Sequence, residues 1–255
     1  MNPRIGVQLY TLRNEARQDF PSVLRALSEM GYEGVEFAGL QGWPLEQIVA
    51  VLRETGLVTA GMHVPYARLM TDLPAVVAEA EALGCRTLVC PWLPLEMRNE
   101  ATYRQLRKEL NQVAEALAGS GLRLSYHNHD FEFAVEIDGQ TALEYLLEPV
   151  PGNRILAEID VYWAQKAGLN PAAFIQPYRG RMPLIHLKDM TPDELGSFAE
   201  IGTGQVEFRP ILAWCQEAGV EWLVVEQDLC AGSPFDSVRL SLQNLRGLLT
   251  ATTQG

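Results

Sequence analysis

Eight short apolar strand patterns, each followed by a stretch with helical spacing, predict that this 255-residue chain folds as one (β/α)8 barrel, a single-domain TIM barrel of the α/β class. Three observations carry the prediction. The strand patterns recur at intervals of roughly 25 to 40 residues, helices fall strictly between them, and the length matches one complete barrel. Laid out flat, the same eight units would make a doubly wound open sheet, but no GxGxxG follows the first strand.

RIGVQL from Arg4 is the first strand candidate, and YTLR follows it. DFPSVLRALSEMGY reads as a helix because Pro21 stands near its start and Gly31 at its end. GVEF from Gly34 and VTAGMH from Val58 are the second and third strands. TDLPAVVAEAEALG repeats the early proline and late glycine before TLVCP from Thr87. In ATYRQLRKELNQVAEALAGSG the apolar residues keep helical spacing from Tyr103 to Leu117, until Gly119 and Gly121 break the run. LRLSYH from Leu122, RILAEID from Arg154, PLIHLKD from Pro183 and WLVVEQD from Trp222 complete the strands. Residues 250–255 are polar and are expected to fray.

Composition narrows the function. A hydrophobic fraction of 47% suffices for a large core, while no apolar run approaches the roughly 20 residues of a membrane span. A net charge of −12 repels nucleic acid and anionic lipid, so small neutral or metal-chelated ligands are the expected partners. Cys85, Cys90, Cys215 and Cys230 are scattered without a CxxC pair and are expected to be free buried thiols. The N-terminal stretch enters its strand without a basic leader, which leads to the expectation of a cytoplasmic protein. A homo-oligomer is compatible with all of this.

Side chains alternate along a strand, and barrel active sites collect at the strands' C-terminal ends. In PLIHLKD, Ile185 and Leu187 form the helix-facing set, which turns His186 and Lys188 to the axis. The same alternation turns Glu158 and Asp160 inward in RILAEID, and leaves Glu226, with Asp228 beyond it, at the mouth in WLVVEQD. It aims His127 inward, with His129 at the following turn, and puts Glu36 and His63 at the inward ends of strands two and three. Two carboxylates on one axial face are costly without a cation. His127, Asp160, His186 and Glu226, at the ends of successive strands, make a mixed nitrogen and oxygen donor set suited to one divalent ion: zinc, manganese, cobalt or magnesium. Each residue alone reads equally as a hydrogen-bonded or solvated side chain; the grouping is what favours a metal.

With YTLR, YHNHDFEF, DVYW and HLKD in these places, the chain resembles the xylose-isomerase-like sugar phosphate isomerase/epimerase family along essentially its whole length. The resemblance implies a metal held at the ends of strands five to eight by Glu, Asp, His and Glu, at the positions of His127, Asp160, His186 and Glu226. His127 departs from the pattern, standing where one of two catalytic carboxylates is usual. Trp163 stands where many epimerases carry a substrate-binding histidine. The implied activity is isomerisation or epimerisation of a small keto- or hydroxy-sugar through an enediolate, with Glu226 as base and Glu158, His127 or Lys188 returning the proton. Glu36, His63, Trp92, His129 and Trp163 are the expected substrate contacts. A keto-sugar or inosose lyase on the same metal site is the alternative, and a sugar-binding barrel without chemistry a third. Endonucleases of the apurinic-site type share the barrel, but four histidines in all fit poorly with their histidine-rich three-zinc cluster. Glycines in IGTGQVEF from Ile201 read either as a ligand-hugging loop or as plain tight turns, and Glu132 and Glu136 as replacements for the missing carboxylate or as solvated side chains.

Overall fold

The computed structural model describes residues 2–252. Among them, eight parallel strands close into a barrel: β1 (Arg4–Gln8), β2 (Gly34–Phe37), β3 (Val58–His63), β4 (Thr87–Cys90), β5 (Arg123–His127), β6 (Leu156–Asp160), β7 (Leu184–Leu187) and β8 (Trp222–Val225). Each strand pairs with its sequence neighbours and β8 returns to β1, so the flat alternative is excluded. The larger outer helices are α1 (Arg13–Met30), α2 (Leu45–Thr55), α3 (Leu73–Leu83), α4 (Glu100–Leu117), α5 (Ala142–Leu147), α6 (Val161–Lys166), α7 (Phe208–Ala218) and α8 (Pro234–Thr252).

The local sequence explains the element ends. α1 is two helices joined at a kink where Asp19 is extended (φ −153, ψ 85) and accepts from Ser22 N at 3.0 Å. Asp19 therefore caps the second half, and Pro21 sits in its first turn, where a missing N–H costs nothing. Gly31 and Gly84 end α1 and α3 with φ of 94 and 65, a conformation that penalises a Cβ. α8 runs on to Thr252, so residues 250–252 are helical where a frayed tail was expected; 253–255, the rest of that tail, lie outside the described residues.

Helix-facing strand residues such as Ile185, Leu187, Leu223 and Val225 join the outer core, while Ala60, Leu184, Trp222 and Val224 plug the lower barrel. A Cβ on Gly34 would lie 2.6 Å from the Trp222 ring and 2.5 Å from Val58 O, so the plug needs glycine there. With the bottom sealed, polar axial residues gather in the upper half. Cys85, Cys90 and Cys215 are buried free thiols and Cys230 is half-buried. No helix among the described residues is long and apolar enough to cross a membrane.

Candidate functional site

Register places the polar residues in two tiers. Asp160 pairs with His186 across β6 and β7, and Glu158 pairs with His127 across β5 and β6, one side-chain layer lower. Glu226 follows β8 immediately, held by its N–H to Leu187 O at 3.3 Å. One ligand atom from each of His127, Asp160, His186 and Glu226 lies within 4.8 Å of the others, and all four residues are buried. The donors are two imidazoles and two carboxylates, a set that fits a borderline divalent ion. A second group of the same reach comprises His63, His127, Glu158 and His186.

Beneath the upper group lies a carboxylate floor. His186 faces Glu226 with Nδ1 (3.0 Å) and Glu36 with Nε2 (2.6 Å). Glu158 Oε1 lies 2.8 Å from His63 Nε2, 3.1 Å from His127 Nδ1 and 3.1 Å from His186 Nε2. Burial opposes a charged His186, but Glu158, Glu226 and Glu36 around it hold its pKa well above the ordinary value. His127 goes the other way, down to about 3, because burial and the neighbouring His186 charge both disfavour its cation. Glu36, also buried and next to the Glu158 charge, is raised to about 7. Burial alone would raise Glu158 too, yet His186 and His63 keep it well below the usual range, so Glu158 is the ionised member of the pair.

Lys188 is fully buried at the mouth-side edge of this cluster. Its Nζ lies 2.9 Å from Asp160 Oδ2 and 2.9 Å from Glu226 Oε2, and donates to Asp228. Since the directed hydrogen bond goes to Asp228, Asp160 Oδ2 is paired by charge while accepting no hydrogen bond. Burial opposes the ammonium, but Asp160, Glu226 and Asp228 hold its pKa well above the ordinary value. Asp160, whose own burial outweighs the Lys188 charge, is raised to about 6.

A cavity of about 670 Å³ opens above, lined among others by Tyr10, His63, Trp92, His127, His129, Glu226 and Asp228. Five expected site residues stand behind this lining: Glu36, Glu158, Asp160, His186 and Lys188 are fully buried. Trp92, 48% exposed, stands at the rim. Trp163 packs against His129 (5.3 Å between ring centroids), Tyr162 and Phe198 and is not part of the lining. Asp228 is on the wall with its side chain 22% exposed, a position the sequence signalled only as the next inward residue after Glu226.

Two motif readings resolve into structural roles. The buried Asp189 carboxylate accepts from the backbone N–H of Gly202 (2.9 Å), Gly204 (2.9 Å) and Val206 (3.0 Å), so the loop hugs a side chain of this chain. A Cβ on Gly204 would lie 2.1 Å from Met190 O. Gly204→Ala is therefore expected to lower stability by about 3 kcal/mol, in the range of overpacking or a broken buried network, read from urea unfolding. Glu136 is exposed, whereas Glu132 is buried and accepts from Tyr126 Oη (2.9 Å) and His129 N (2.8 Å). Neither supplies a carboxylate to the upper group. Burial pushes Glu132 up to about 8. The unfolded chain releases its proton near pH 4.5 and the folded chain only near 8, so this group's contribution is fully present below 4.5 and is lost as pH rises through 8. Glu132→Gln removes that loss: its Tm relative to the parent should climb from pH 4.5 to 8, by calorimetry.

The comparisons with known proteins fall in line with the geometry. A family model described as xylose isomerase-like TIM barrel matches residues 24–246. An inosose dehydratase of Geobacillus kaustophilus (strain HTA426) is 24% identical over 269 residues, covering 89% of this chain and 86% of its own. A sugar phosphate isomerase/epimerase of Parabacteroides distasonis ATCC 8503 superposes with a TM-score of 0.82 at 22% identity, over 96% of this chain and 98% of that one. An L-ribulose 3-epimerase gives 0.79 at 14%, over 99% and 96%. At these identities the two structures speak for the fold.

Proposed function

This chain belongs to the xylose isomerase-like TIM barrel family, and we propose that it is a divalent-metal-dependent enzyme that removes a proton next to the carbonyl of a small keto-polyol and expels the neighbouring hydroxyl. The observation that carries the reading is the convergence of His127, Asp160, His186 and Glu226 beneath a cavity whose wall also bears Asp228. A divalent ion bound by these four would polarise the substrate carbonyl and stabilise the charge that develops on its oxygen.

The chain's own residues supply the proton transfers. Glu226 and Asp228 line the cavity from the end of one strand, with the Lys188 ammonium against both. Glu226, kept ionised by Lys188 and His186 against the effect of burial, is the base for the carbon-bound proton. Asp228, which burial raises above the ordinary carboxylate value, is the acid for the departing hydroxyl. The C–H bond breaks to Glu226, its electron pair becomes the new C=C bond, and the C–O bond breaks with a proton from Asp228 to release water. The name of the Geobacillus relative, inosose dehydratase, supports this branch.

Isomerisation or epimerisation is the second reading, favoured because Glu226 and His127 reach the cavity from different strands, so a proton taken by one can be returned by the other. Proton NMR of metal-loaded protein with an inosose, and separately with ketohexoses, in deuterated water tests both. The proposal expects deuterium exchange beside the carbonyl followed by an unsaturated product, with Asp228→Asn keeping the exchange and losing the product. Stereochemical inversion without loss of water selects the second reading. Exchange on none of these compounds rejects both.

A further inference from the structure

We propose that Glu158, with Glu36 beside it, is a positioning residue that sets the tautomer of the site histidines and exchanges no proton with substrate. The inference rests on the metal-dependent reading above for its function, but its structural part stands on the hydrogen bonds alone.

Glu158 is fully buried and does not line the cavity, and His63 and His127, which do, stand against it. Each of these two rings turns one nitrogen to Glu158 Oε1, His63 by Nε2 at 2.8 Å and His127 by Nδ1 at 3.1 Å. Two ring nitrogens converge on the one oxygen, the arrangement of a carboxylate oxygen that accepts from two N–H donors, so the facing nitrogens carry the hydrogens. A neutral ring has one N–H, which leaves His127 Nε2 and His63 Nδ1 as lone pairs. His186 differs: held charged in the metal-free chain, it hydrogen-bonds Glu36 through Nε2 at 2.6 Å and Glu226 through Nδ1 at 3.0 Å, and would have to give up the Nδ1 hydrogen to hold an ion in the upper group. In the second four-residue group, His63 and His127 each hydrogen-bond a ring nitrogen to Glu158 Oε1, while His186 Nε2 lies 3.1 Å from the same oxygen and makes its hydrogen bond to Glu36. Gln8 Nε2 donates to Glu36 Oε2 at 3.1 Å and fixes the floor from β1.

Carboxylates that hold metal-ligating histidines in one orientation typically contribute about 10–100-fold to metal affinity. The test reads two signals. Long-range proton to nitrogen-15 correlation spectra of the metal-free full chain should show His127 protonated on Nδ1, and Glu158→Gln should shift it toward a mixture of tautomers. In the same variant the dissociation constant for manganese should rise about 10–100-fold, while saturating manganese restores most of kcat. Glu36→Gln, the second variant, should weaken manganese binding through His186 and leave the His127 tautomer in place. A His127 that carries its hydrogen on Nε2 in the parent, or is unmoved by Glu158→Gln, overturns the proposal. So does unchanged manganese affinity together with a kcat that collapses at saturating metal, since Glu158 would then carry the proton itself. Absence of manganese binding in the parent would defeat the functional reading while leaving the tautomer result to stand or fall separately.

Discussion

Asp160→Asn is expected to lower kcat/KM by about a thousandfold or more, equivalent to at least about 4 kcal/mol of transition-state stabilisation, with the barrel intact. The side chain has two roles that this substitution separates. Asp160 Oδ1 accepts from Tyr162 N at 2.9 Å and Trp163 N at 3.3 Å, capping α6, and asparagine caps a helix as well as aspartate. What asparagine lacks is the negative charge at Oδ2, the atom 2.9 Å from Lys188 in the upper group. Circular dichroism and Tm should therefore stay near those of the parent while bound manganese and turnover are lost. Asp160→Ala, which removes the cap too, should cost roughly 1 kcal/mol of stability in addition.

Lys188→Met carries the second large effect, and it falls on stability. Removing this ammonium leaves Asp160, Glu226 and Asp228 without their shared cation in a buried site. Breaking such a pair by deleting one partner costs about 3–5 kcal/mol, which for a chain of this size lowers Tm on the order of 10 °C. The loss should depend on pH with a definite sign. Asp160, already raised to about 6 with Lys188 in place, rises further without it, so the folded variant takes up protons at acidic pH that the unfolded chain has released. Scanning calorimetry should find the deficit smallest near pH 4 and growing as pH rises through and beyond 6. Manganese should raise the Tm of Lys188→Met more than that of the parent, because the ion replaces the missing charge.

The parts of this site that were legible in the sequence share one physical origin, the two-residue period of a strand. Period alone turns His186 and Lys188 to the axis of β7 and Glu158 and Asp160 to the axis of β6, and the structure has them so placed. Period does not say how high a side chain reaches, and that is where sequence reading stopped. Glu158 and Asp160 look equivalent along β6, yet one lies under the histidines and the other stands beside Lys188. Glu36 and Trp163 were expected to touch substrate, but Glu36 is fully enclosed and Trp163 backs His129 instead of joining the cavity wall. The Asp189 clasp was hidden for a different reason: apart from the adjacent Met190 N–H, its partners are backbone N–H groups 13 to 17 residues away, and such groups leave no residue-type signal. Its one trace was the pair of glycines at 202 and 204.

Anomalous diffraction from a crystal of the full chain soaked in manganese, collected on both sides of the manganese absorption edge, decides whether His127, Asp160, His186 and Glu226 hold an ion. One strong peak is expected within ligand distance, about 2.0–2.3 Å, of His127 Nε2, Asp160, His186 Nδ1 and Glu226, with Lys188 displaced toward Asp228. A map without a peak there, and Lys188 still against Asp160 and Glu226 at saturating manganese, would contradict that expectation.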